Sequence, residues 1–136
     1  MSAAADLRTY LLANSGVAAL IGTRCYPGTI RQAATLPAVA YWVISRTHVS
    51  HLKGITAAGT IRIQLDANAA LETDADAVTE AIVAAMKILA ATPQTIGSTP
   101  VCDVEIQGPR QSTEPPADGS DEWTYVSSVD VILNLG

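Results

Sequence analysis

Apolar residues at Leu7, Tyr10, Leu11 and Leu12 recur at helical spacing and predict a helix over Asp6 to Ala13, which Asn14-Ser15-Gly16 breaks. Val17, Leu20 and Ile21 predict a second, short helical turn closed by Gly22. Thr23 to Leu36 has little periodicity, and Tyr26-Pro27-Gly28 within it is a turn signal. Pro37 opens a run from Ala38 to Ser45, rich in Val, Ile, Tyr and Trp, that reads as a strand apolar on both faces and so central or interfacial. Ala57 to Asp66 alternates, with Ile61, Ile63 and Leu65 on one side and Thr60, Arg62 and Gln64 on the other, the pattern of a half-buried strand. Between these strands, Arg46 to Thr56 is far longer than a hairpin turn requires and reads as a long loop with a role outside the core.

Leu71 to Ala91 is the most regular helix. Ala75, Val78, Ile82, Ala85, Met86 and Leu89 form one apolar stripe, and Asp74, Asp76 and Glu80 crowd its beginning, where they complement the helix dipole. Pro93 and Gly97 mark the end of that helix and the turn after it. Val101 to Gln107 alternates Cys102, Val104 and Ile106 against Asp103 and Glu105, and Trp123 to Leu135 alternates over a longer span, so both read as strands. Gly108 to Asp121 holds Pro109, Pro115, Pro116 and Gly119 and reads as a second long loop. No internal repeat or low-complexity linker is present. Helix, two strands, helix, two strands makes an α+β fold: a mostly antiparallel sheet with two main helices packed on one face and two long loops. Its 136 residues are expected to form a single domain, 1–136. Such a sheet leaves edges that oligomerisation can cover.

Hydrophobic residues make up 49% of the chain but aromatics only 4%, with no Phe, so the core is one of Val, Ile, Leu and Ala and the stock for a ligand pocket is thin. Only 15% of residues are charged, which is consistent with a surface partly covered by other subunits. The net charge of −5 argues against binding nucleic acid through phosphate neutralisation. No apolar run approaches membrane-spanning length, and Met1 to Asp6 has neither the basic nor the long apolar region of an export signal.

The chemistry-bearing residues do not converge. His48 and His51 are three apart but lack an evident third ligand, so no metal site is expected. Asp74-Ala75-Asp76 lacks the glycine and terminal glutamate of a calcium loop, and helix capping accounts for it. No phosphate-binding glycine loop or dinucleotide fingerprint occurs, and no cofactor is expected. Cys25 and Cys102 fit no metal or redox spacing and read as reduced, buried, structural thiols of a cytoplasmic product. Asp103, Glu105 and Asp130 fall on polar strand faces, where solvated carboxylates are expected in place of an acid and base pair. Trp42 and Trp123 read as core or subunit-contact residues. No enzyme class emerges.

Read as a unit, Leu7-Arg8-Thr9-Tyr10-Leu11-Leu12-Ala13, Val17-Ala18-Ala19-Leu20-Ile21-Gly22, Arg24-Cys25-Tyr26-Pro27-Gly28 and Leu36-Pro37-Ala38-Val39-Ala40-Tyr41 resemble the tail-completion or tail-terminator proteins of long-tailed bacteriophages and gene-transfer agents. There a first helix runs into an ALIG-x-R-x-Y-P stretch and then an LP-x-x-x-Y strand. The Ile61 to Asp66 strand, the Ala-rich helix and the terminal strand pair fit as well, so the resemblance covers nearly the whole chain. Cys25 departs from it, standing where an apolar residue such as Ile is common.

The resemblance implies a structural, non-enzymatic virion protein. Its partners would be itself, as a homo-hexameric ring, together with the tail tube protein and the head-tail connector protein. Such a ring sits at the virion neck, assembles in the host cytoplasm, stops tube growth and joins the tail to the head. Six chains of −5 carry −30, and an acidic lumen would let genomic DNA pass without sequence-specific binding. On this reading Arg46, His48, His51 and Lys53 in the first loop, and Arg110, Glu114, Asp118 and Asp121 in the second, would supply protein contacts. Val39, Tyr41 and Trp42 would support the wall between subunits. The alternative is a small α+β ligand- or protein-binding module without ring assembly; a hydrolase built on the histidine loop lacks its constellation. Replacing His48 and His51 together by Ala is expected to leave metal content unchanged. Elemental analysis checks this, and stoichiometric zinc in the wild type that disappears in the double variant is the contrary result.

Overall fold

The computed structural model describes residues 3–28, 30, 35–51, 54–115 and 123–135, with backbone alone for 48–51 and 54–58. Three helices and six strands follow in the order α1 (Ala3–Ala13), α2 (Ser15–Ile21), β1 (Cys25–Pro27), β2 (Ala38–His51), β3 (Gly54–Ala69), α3 (Glu72–Ala91), β4 (Thr95–Ile96), β5 (Thr99–Glu114) and β6 (Thr124–Leu135). The sheet order is β1-β2-β3-β6-β5-β4; β1 pairs parallel with β2 and the other pairs are antiparallel. This is the expected α+β fold with a mostly antiparallel sheet.

The centre of the sheet is the β3–β6 pair, in register from Gly59↔Leu135 to Ala69↔Tyr125. Because side chains alternate along a strand, this register puts Ile61, Ile63 and Leu65 beside Leu133, Val131 and Val129 on one face, all at 2% exposure or less. The stripe expected on α3 packs there: Ala75, Val78, Ile82, Ala85, Met86 and Leu89 are all buried. Leu7 and Leu11 of α1 and Val17 and Ile21 of α2 complete the same core.

Local chemistry explains the N-terminal turns. The Asn14 side chain does not merely end α1. It caps α2, accepting from the Gly16 and Val17 amides at 3.0 and 3.2 Å. Gly22 closes α2 at φ 59, a left-handed conformation that favours glycine. Arg24 then donates to the Leu20 carbonyl at 3.3 Å and the Pro37 carbonyl at 2.9 Å, tying the end of α2 to the start of β2. Arg8 reaches from α1 to the Cys25 carbonyl at 2.8 Å. α3 begins at Leu71 without a side-chain cap, so Asp74 serves the helix dipole and is not a cap.

The two long loops are corrected by the structure. Arg46 to His51 continues β2 and Gly54 to Thr56 belongs to β3, paired as far as His51↔Gly54, so the segment read as a loop is two arms of a hairpin; Lys53 lies outside the described residues. The apolar pattern stops at Ser45, and Val43 to Thr47 are all exposed, so no alternation of buried and exposed positions marks the start of the arm as strand. Similarly, Gly108 to Glu114 continues β5, with a bulge between Gln107 and Arg110. Gly108 has φ 104 there, and a Cβ would lie 2.9 Å from the Ser128 carbonyl oxygen. Of the remainder of that segment, Asp118 and Asp121 lie outside the described residues. The short β1 and β4 were not foreseen, since strands of 3 and 2 residues carry no periodicity.

Met86→Ala is expected to lower unfolding stability by about 2–5 kcal/mol, because its side chain is wholly buried between α3 and the sheet. Ile88→Ala, on the exposed side of the same helix, should change it by less than about 0.5 kcal/mol. Denaturant titration of both variants checks the contrast.

Candidate functional site

The face of the sheet opposite the helices is built on an ion-pair cluster. Asp130 of β6 has a side chain only 5% exposed. Its Oδ2 accepts from Arg62 Nε at 2.8 Å and from another Arg62 nitrogen at 2.6 Å, and its Oδ1 accepts from Arg110 at 3.0 Å. Arg62 also donates to Gln107 Oε1 at 2.8 Å. One carboxylate thereby braces β3, β6 and β5, and charge-assisted, two-pronged contacts of this type are among the stronger hydrogen bonds. Burial pushes the Asp130 carboxyl up, but the hydrogen bonds and charges of both arginines outweigh it, and the group lies below the ordinary 3.8. The solvated carboxylate expected at this position is therefore a buried one: the alternation places it correctly on the polar face, but the flanking guanidinium groups cover it.

A second buried carboxylate ties the N-terminal helix to the far side of the sheet. Asp6 accepts from Thr99 Oγ1 at 2.6 Å and from the Ser98 hydroxyl and amide at 3.2 and 3.3 Å. The Thr99 bond, with those from Ser98, holds its carboxyl below the ordinary value against the opposing effect of burial.

The expected contact residues are distributed as follows. Arg46 is exposed on β2, and His48 and His51 lie on the same strand with side chains outside the described residues. Arg110 is half exposed but engaged with Asp130. Glu114 is exposed at the end of β5. Val39 and Tyr41 face the helices and are buried within the chain's own core, so their burial needs no second subunit; Trp42, on the opposite face, is partly exposed. The exposed large apolar residues include Val43 and Ile44 next to it, and Trp123 ahead of β6. Sequence reasoning passed over Val43 and Ile44 because they look like the continuation of a core strand.

Cys25 is buried, with its thiol pushed up to about 11 by desolvation, partly offset by Arg8. Cys102, expected to be buried, is exposed, because a bulge between Val101 and Asp103 takes it out of the alternation. Asp103 and Glu105 are exposed, and the carboxylate that shares their strand face, Asp130, is occupied by arginines. Among the described residues no group of three His, Cys, Asp or Glu is placed to hold a metal, and no helix is long and apolar enough to cross a membrane. A shallow groove of about 270 Å³ lies between the start of α3 and the β5–β6 pair, where Gln111 donates to Asp76 at 2.8 Å; it holds no nucleophile and base in contact.

Because Asp130 and Asp6 sit below their unfolded value, they stabilise the fold above about pH 4, and that contribution is lost as pH falls through their depressed values. Asp130→Asn is expected to cost about 1–3 kcal/mol at neutral pH and to flatten the acid limb of the stability curve. Denaturant titrations between neutral pH and pH 2 on both proteins check this; an unchanged acid limb is the contrary result.

No curated protein matches the chain in sequence. A chain from a solved structure described as the virion of a native gene transfer agent particle is similar to it in fold, with a TM-score of 0.67 and 14% identity, covering 99% of this chain and 96% of that one. The family model described as tail completion protein gp17 matches residues 5–131, from α1 into β6. A match that takes in all three helices and runs into the last strand is a match of the whole fold, and the chain belongs to the tail completion protein gp17 family, structural proteins of the phage tail.

Proposed function

We propose that this chain forms a ring at the head-proximal end of the phage tail tube, ends tube growth there and joins the tail to the head connector, with no catalytic step. The observation that carries the reading is the family match over residues 5–131. The likeness in fold to a chain of a gene transfer agent virion is in keeping with it. The geometry supports it in three ways. The described carboxylates, cysteines and hydroxyls assemble no acid, base and nucleophile set. The β2–β3 hairpin runs past the helices and exposes Val43 at 44% and Ile44 at 45%, which suits contact with other protein chains. The net charge of −5 suits a channel through which DNA moves without being held.

The partners on this reading are further copies of the chain, the tail tube protein and the connector, and the position is the virion neck. Removing the protein is expected to leave filled heads and tails unjoined in electron micrographs, with tails of irregular length, and to be complemented by the wild-type chain. The purified protein alone or with tube protein should show rings in micrographs and a six-fold mass. Normally joined virions without it, or a monomer under every assembly condition, would return it to a small binding module.

A further inference from the structure

Each outer flank of the sheet is open along most of its length. β1 covers β2 only at Val39 to Tyr41, and β4 covers β5 only at Thr99 and Pro100. Among the described residues nothing pairs with the outer edge of β2 from Trp42 onward, or with that of β5 from Cys102 to Glu114. Unpaired strand edges of this length are templates for strand addition. Bulges restrict where addition fits, leaving regular stretches at Ser45 to His48 on β2 and Asp103 to Gln107 on β5.

The two edges match each other and not themselves. β2 and β6 run in one direction, β3 and β5 in the other. A second copy rotated about an axis along the strands therefore brings its β2 antiparallel to β5 of the first, the geometry of the rest of the sheet. On the helix side, exposed Val43 of β2 would then continue the partly buried row of Val104 and Ile106 on β5. Like edges are poor partners: Asp103 and Glu105 share the face of β5 opposite the helices, and Arg46 lies on the helix side of β2. Pairing β2 with β2 would bring Arg46 toward Arg46, and β5 with β5 would bring acids together, both unfavourable.

We propose that copies of this chain join head to tail, β2 of one pairing antiparallel with β5 of the next through Ser45 to Thr47 and Asp103 to Gln107, with Val43 at the end of the paired stretch. The proposal rests on the ring reading above and names the surfaces that close the ring. A joint between two different surfaces propagates around a ring, whereas a joint of one surface with itself stops at a dimer.

Cysteine cross-linking tests it. In a Cys102→Ser background, Ser45→Cys or Thr47→Cys marks β2, and Asp103→Cys, Glu105→Cys or Gln107→Cys marks β5; all five positions are exposed and on the face opposite the helices. Mild oxidation with diamide is expected to yield disulfide-linked dimers from mixtures of a β2-marked and a β5-marked protein, and none from either alone. Native mass spectrometry and micrographs of the unoxidised samples report ring formation separately. Rings with no β2-to-β5 cross-link in any combination, or with links only between like-marked chains, overturn the edge pairing and leave the ring standing. No ring from the wild-type chain overturns both.

Discussion

The register of β3 against β6 is the constraint on which the rest of the molecule depends. Strand side chains alternate with a period of two, so a slip of one residue would turn Ile61, Ile63 and Leu65 to the polar face and Arg62 and Gln64 under α3. The observed pairing gives the helices a continuous apolar floor and, on the same residues' other side, brings Arg62 to Asp130. Hydrophobic burial and the ion-pair cluster thus specify one alignment from opposite faces. The first supplies most of the driving force, while the second penalises alternatives, since a slipped Asp130 would be buried without its cations.

The helices are attached to that floor by a few polar ties at their ends. Arg8 and Arg24 donate to carbonyls at the start of β1 and β2, Tyr10 donates to the Ala85 carbonyl of α3 at 2.8 Å, and Asp6 accepts from Ser98 and Thr99. These ties give a physical account of the stretch on which the family resemblance rests. Gly22 lets α2 stop, Arg24 clasps both the end of α2 and Pro37, and the intervening backbone forms β1 beside β2. The stretch is an architectural clasp, which suits a structural protein of the phage tail.

Two strands, β2 and β5, are buried in one part and exposed in another. Ala38 to Tyr41 are buried in β2, and Val43 to Thr47, further along it, are exposed. β5 passes in the same way from buried Val101 to exposed Gln107. The core of modest side chains is closed on itself, and the strands continue beyond it into stretches where single apolar residues such as Val43 and Ile44 are exposed.

Much of this was legible in the chain itself. The α3 stripe, the alternation in β3 and β6 and the helix–turn–helix start are short-range periodicities, and burial imposes them directly on sequence. The fold class followed from their order, and the family from the order and spacing of the Leu7 to Tyr41 stretch and the elements after it. What the sequence could not show was anything decided between strands. Arg46 and Thr47 at the start of the hairpin arm and the far half of β5 are exposed throughout and carry no alternation, so strand and loop look alike there. Cys102 left the buried face through a bulge, and Val39 and Tyr41 went to the core while Trp42 turned outward. Asp130 reads as one more acid on a polar face until the register sets Arg62 and Arg110 over it. Local periodicity determined which residues seek burial; only the pairing of distant strands decided which charges meet and which edges remain open, because those distances arise from register and not from spacing along the chain.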